Sequence, residues 1–161
     1  MAAVGASLDA LLSAWGDGEL QSFKPTARFY EAMDCVIYLT DDLAYRADRV
    51  DGFLTLLWHP NEDKLIGVKL KGFRFLFGRL QAILRNTDVT VPDAEFVPLI
   101  KAIELALTTR LTALFEKALE EDDADKVRLE EERRELESRY RQARELVDSV
   151  AVDASELLAA A

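Results

Sequence analysis

The sequence predicts an α+β fold: an antiparallel β-meander of about four strands, helices packed on it, and a long C-terminal helical hairpin. Three observations carry this expectation. Between residues 35 and 71, short apolar runs, partly alternating at period two, are separated by turn-forming residues. At Gly72 the apolar spacing changes to that of a helix. Beyond residue 96, two apolar stripes at helical spacing flank a densely charged stretch.

Taken in order, SLDALLSAW (7–15) reads as a short amphipathic helix, with Ser7 as N-cap and Gly16 and Gly18 as its stop. A loop containing Lys24-Pro25 follows. CVIYLT (35–40) is apolar and β-branched, as a buried strand requires. LAYRADRV (43–50) alternates, with Leu43, Tyr45 and Ala47 on the face expected to be buried and Arg46 and Asp48 on the other. Asp51-Gly52 suits a type I′ hairpin, whose two central residues take positive φ. FLTLLW (53–58) and KLIGVKLK (64–71) complete the meander across the loop HPNED. In the last strand Ile66, Val68 and Leu70 oppose Lys69 and Lys71.

Phe73, Leu76, Phe77, Leu80 and Leu84 form the stripe of a helix over 73–85, and NTDVTVPD (86–93) is a loop. A longer helix carries Phe96, Ile100, Ile103, Leu107, Leu111, Leu114 and Ala118. Pro98 fits only a first helical turn, which leaves its start open. Residues 116–137 hold eleven acidic and five basic side chains. Glu130–Arg134, Glu135–Arg139 and Glu137–Arg141 are i,i+4 pairs in the favourable order. A second stripe runs through Leu129, Leu136, Tyr140, Ala143, Val147 and Val150. EEDDAD (120–125) is the expected bend, with one continuous helix as the alternative because it lacks Gly and Pro. Asp153 and Glu156 suit the cap of a final turn, DASELLAAA. The chain thus divides into an α+β part (1–92) and a helical hairpin or long helical extension (93–161).

Composition narrows the function. With 161 residues, half of them hydrophobic, the chain can bury a core. A net charge of −10 repels phosphate backbones and argues against nucleic acid. One cysteine, Cys35, excludes an internal disulfide and a cysteine-built zinc site, and fits a reducing cytoplasm. The N-terminus lacks the basic region of a signal peptide, and no apolar run is long enough to span a bilayer. The only histidine, His59, lies outside the helices, so the Glu-x-x-His pattern of a di-iron bundle is missing, and EEDDAD lacks the glycine of a calcium loop. No metal or cofactor is expected.

Three constellations are candidates for chemistry or contact. His59 and Trp58 stand at a strand end near Glu62 and Asp63, and Cys35 is a possible partner for the imidazole. Lys64, Lys69, Lys71, Arg74, Arg79 and Arg85 make residues 64–85 basic with no acid among them, against −16 for the rest of the chain. KGFRFLF (71–77), with IYLTDDL (37–43), partly matches the paired strand motifs of RNA-recognition domains, with Arg74 and Gly78 at mismatched places.

Residues 33–72 also carry a longer pattern: Asp34, the Tyr-centred strand VIYL, a second strand, the Asp51-Gly52 turn and the final strand KLIGVKL. This resembles a family of small bacterial proteins of unknown function, whose last strand reads Gly-x-Leu-Val-Gly-Ile-Glu-Ile where this chain has Lys64 and Lys69. The resemblance implies a β-meander core and no catalytic residues.

The expected function is a non-enzymatic, cytoplasmic protein-interaction, scaffold or regulatory module that self-associates. Lys69, Lys71, Arg74, Arg79, His59 and Trp58 are the candidate ligand or partner contacts. The alternatives are RNA or anionic-ligand binding through 64–85, and an enzyme built around His59.

Overall fold

The computed structural model describes residues 23–86 and 96–153. The helix expected over 7–15, most of the loop 86–93 and the final turn after Asp153 lie outside the described residues. The elements are β1 (Ala27–Tyr30), a 3-10 turn (Glu31–Met33), β2 (Cys35–Leu39), β3 (Arg46–Arg49), β4 (Leu54–Trp58), β5 (Leu65–Lys71), α1 (Phe73–Asn86), β6 (Phe96–Pro98), α2 (Leu99–Glu120), α3 (Asp123–Leu146) and β7 (Ala151–Asp153).

The fold is mixed α and β. The expected four-stranded meander is an understatement: β2 to β5 belong to a seven-stranded sheet of order β3-β4-β5-β2-β1-β7-β6. That sheet is mixed, because β1 and β7 run parallel with Ala27 beside Val152. β2 also lies away from β3. It pairs with β5, Val36 opposite Leu70 and Tyr38 opposite Val68. The reason lies in β5, where Ile66, Val68 and Leu70 are fully buried. A buried strand needs a hydrogen-bonded neighbour on each edge, and β4 and β2 supply the two. β1, β6 and β7 have three or four residues each, too few for an alternating pattern to register. β6 and β7 flank the helical hairpin, so residues 93–161 contribute strands to the sheet as well as helices to its core.

Among the described residues, α1, α2 and α3 pack on one face of the sheet. Val36, Tyr38, Leu54, Leu56, Val68 and Leu70 join the buried stripes of α1, α2 and α3 in one cluster. α1 begins where the sequence changes period. Gly72 has φ of +70°, and Asp34, itself left-handed at φ 47°, accepts the Gly72 and Phe73 amides on its carbonyl and the Arg74 amide on Oδ1. Phe73, Leu76 and Phe77 are then buried, with Phe29 and Phe77 rings 5.5 and 6.1 Å from Phe73. Gly78 sits mid-helix on the opposite, exposed face, where an added Cβ meets nothing within 4 Å. A mid-helix glycine costs about 1 kcal/mol relative to alanine, and no contact among the described residues requires this one.

The hairpin bends at Glu121 and Asp122, which resolves the two readings of EEDDAD. Asp122 caps α3 by accepting from the Asp125 amide, and Asp123 and Asp125 add negative charge at the positive end of the helix dipole. α2 starts only after Pro98, so Phe96 belongs to β6 rather than to the helical stripe. Of the residues in the two expected stripes, Leu107, Tyr140 and Val147 are buried and Leu111 is partly so.

Two local expectations are overturned at the sheet edge. Neither Asp51 nor Gly52 has positive φ, so the β3–β4 connection is not type I′. It is a longer turn in which the Val50 and Asp51 amides both reach the Leu54 carbonyl. The expected faces of β3 are also not kept: Leu43 and Tyr45 precede the strand and are exposed, as are Arg46 and Ala47, while Asp48, opposite core residue Leu56, is half-buried toward the helices. The cause is a partner invisible to strand patterning, the Arg139 guanidinium of α3, which binds the Asp48 carboxylate. Arg139 therefore leaves its expected i,i+4 mate Glu135, and Arg133 takes Glu137 at 3.2 Å.

Candidate functional site

The most organised polar cluster is centred on Asp51. Its side chain is 4 % exposed. Oδ1 accepts the Phe53 and Leu54 amides, both at 2.8 Å. Oδ2 accepts the Tyr140 hydroxyl at 2.7 Å and lies 3.5 Å from Arg110 Nε. One carboxylate thus ties the β3–β4 turn to both helices of the hairpin, and Asp48–Arg139 adds a second tie beside it. Above this lattice lies a cavity of about 190 Å³ lined by Arg49, Val50, Arg110, Glu132, Glu135, Leu136 and Arg139.

Burial, and then the hydrogen bond and negative charge of Asp51, hold the Tyr140 phenol well above the ordinary tyrosine value of 10.0, with Arg110 opposing. The cluster joins the β3–β4 turn to α2 and α3. The sequence carried one signal for it. Tyr140 interrupts an otherwise aliphatic buried stripe, and a buried hydroxyl needs a partner.

The raised Tyr140 pKa fixes a pH dependence. Its contribution to stability is complete below about pH 10 and declines above it, because the unfolded chain can ionise the phenol while the folded one resists. Burial also pushes up Cys35 from 9.0, the nearby Lys69 and Lys71 opposing, which adds the same slope at lower pH. Urea midpoints measured from pH 8 to 11 are expected to fall, and Tyr140→Phe should flatten the fall above the ordinary tyrosine value.

The candidates named from the sequence are dispersed. His59 closes the β4–β5 hairpin: its amide donates to the Lys64 carbonyl at 2.8 Å, and Nδ1 accepts the Asn61 and Glu62 amides at 3.1 and 3.0 Å. The imidazole acts as the turn's acceptor. His59→Ala is expected to cost no more than about 1 kcal/mol in urea titration, with His59→Asn milder because a short side-chain acceptor survives. Trp58 ends β4 and lines a cavity of about 370 Å³ with Leu65, Gln142, Glu145 and Leu146. Cys35 lies opposite Lys71, at the far end of β5 from the Trp58–Leu65 pair that precedes His59. Six residues of strand separate those positions, about 20 Å, so the thiol and the imidazole are not brought together.

Lys69 and Lys71 stand on the sheet face turned away from the helices, since Val68 and Leu70 alternate with them and enter the core. Arg74 and Arg79 stand on α1. Arg74 lies 3.5 Å from Glu31 and over the Phe29 ring, and Arg79 lies over Phe75. The aromatic run KGFRFLF falls mostly on α1, where Phe73 and Phe77 are buried rather than displayed on a strand.

No family model, curated protein or solved structure matches this chain. Among the described residues no group of His, Cys, Asp and Glu is placed to hold a metal ion, and no helix is long and apolar enough to cross a membrane.

The hairpin shows a feature the stripes did not announce. Beyond Arg110 and Arg139, toward the bend, α2 and α3 bury Leu114 and Leu129. Phe115 and Leu119, one turn apart on α2, are 66 % and 70 % exposed, and Val127 on α3 is exposed too.

Proposed function

We propose that this chain is a non-enzymatic interaction module that self-associates, working through its helical hairpin. The observation that carries the reading is the exposure of Phe115 and Leu119 side by side near the hairpin's end. Scattered exposed apolar residues are ordinary, but two large ones adjacent on a helix form a surface whose burial is favourable. The Asp51 lattice supports the same reading, because it ties the middle of both hairpin helices to the sheet. The segment 33–72, with its resemblance to small bacterial proteins of unknown function, forms β2 to β5 and serves as the platform. A single buried thiol suits a reducing, cytoplasmic setting. The alternatives draw less support. The cations proposed for anion binding are divided between the outer sheet face and α1, and the His59 acceptor nitrogen is engaged by its own turn.

The test is light scattering on the full chain beside the Phe115→Ser, Leu119→Ser double variant. The native chain is expected to associate reversibly with concentration, and the variant to remain folded and dissociate. A native chain that stays monomeric at high concentration, or a variant that associates unchanged, would remove the proposal.

A further inference from the structure

We infer that the surface receiving the hairpin end is the exposed stripe of α1 on a second copy of this chain, an inference that rests on the self-association proposed above. Phe75, Gly78, Arg79 and Ala82 recur at helical spacing on the solvent side of α1, opposite Phe73, Leu76 and Phe77. Gly78 leaves a notch between Phe75 and Ala82, where an added Cβ meets nothing within 4 Å among the described residues. Phe75 is half exposed, and the Arg79 guanidinium stands 5.9 Å from its ring centroid, placing positive charge at the lip of the notch.

The hairpin end has the complementary character. Phe115 and Leu119 supply the apolar knob, and Glu116 and Glu120 flank them. Among the described residues neither Glu116 nor Glu120 has an ion-pair partner within 4.0 Å, whereas Lys126, Arg128, Arg133 and Arg134 are engaged by acids of their own helix. Residues 64–85 contain no acid at all. Charge also decides between pairings. Two hairpin ends meeting would set EEDDAD against its own copy, and two α1 stripes would set Arg79 against Arg79, both repulsive; of these three pairings, end against α1 joins opposite signs. The same molecule does not cover these side chains: Phe115 and Leu119 are exposed, and Phe75, stacked on the Phe53 ring at 6.3 Å, keeps its other side half exposed.

Sedimentation velocity on the full chain tests this with charge exchange. Gly78→Glu with Arg79→Glu adds acids at exposed positions, one of which faces open space, so the fold is retained and circular dichroism verifies it. That variant, and separately Glu116→Lys with Glu120→Lys, is expected to weaken self-association by about tenfold or more. Mixing the two should restore association between unlike chains. If the α1 variant associates like the native chain, or mixing restores nothing, the α1 surface is overturned, while weakening by Phe115→Ser and Leu119→Ser still upholds self-association. A native chain that is monomeric throughout overturns both.

Discussion

Asp51→Ala is expected to destabilise the protein by about 3–5 kcal/mol, measured as a lowered urea midpoint with an unchanged slope. The size follows from what is stranded. Phe53 and Leu54 lose their amide acceptor, the buried Tyr140 hydroxyl loses its partner, and Arg110 loses its carboxylate in one change. Asp51→Asn keeps an oxygen for the two amides but removes the charge facing Arg110, so its cost should lie between those of alanine and the native residue. Because Asp51 and Tyr140 share one hydrogen bond, the Asp51→Ala and Tyr140→Phe costs should sum to more than the cost of the double variant. Strict additivity would show that the bond contributes nothing.

Phe73→Ala should cost a comparable amount, about 3–5 kcal/mol. Its side chain is fully buried between the Phe29 ring of β1 and the Phe77 ring of the next helical turn. The site is fixed from both sides. Gly72 and Asp34 determine where α1 begins, and the paired strands β2 and β5 hold the sheet beneath it. Phe73→Leu, which retains most of the volume, should recover much of the loss. A small effect of the alanine change in thermal and urea unfolding would mean that α1 shifts to fill the cavity.

How far the sequence discloses this fold depends on whether a pattern is local. The change of period at Gly72 marks the start of α1, and the stripe through Leu129, Leu136, Tyr140 and Ala143 marks the buried face of α3, because both are written in consecutive turns of one helix. β3 misled for the converse reason. Its alternation is real, but which face turns inward was decided by Arg139, ninety-one positions away. Asp51-Gly52 reads as a turn and is one, yet its carboxylate serves Tyr140 and Arg110, which no turn propensity encodes. His59 shows the limit from the other side. A lone histidine beside a tryptophan invites a catalytic reading, and only the hydrogen bonds to Asn61 and Glu62 disclose its part in closing the hairpin.

The parallel pairing of Ala27 with Val152 has a consequence for the order of folding. β3, β4 and β5 are joined by short connections and can pair as soon as they exist, with α1 following directly. β7 comes after both hairpin helices, and contacts between such distant positions are slow to form because a long loop must close first. Among the described residues, β1 therefore has β2 as its strand neighbour until β7 is made, and β6 has none until then. Ala151–Asp153 acts as a clasp between β1 and β6, and without it the facing edges of both strands would be left unsatisfied.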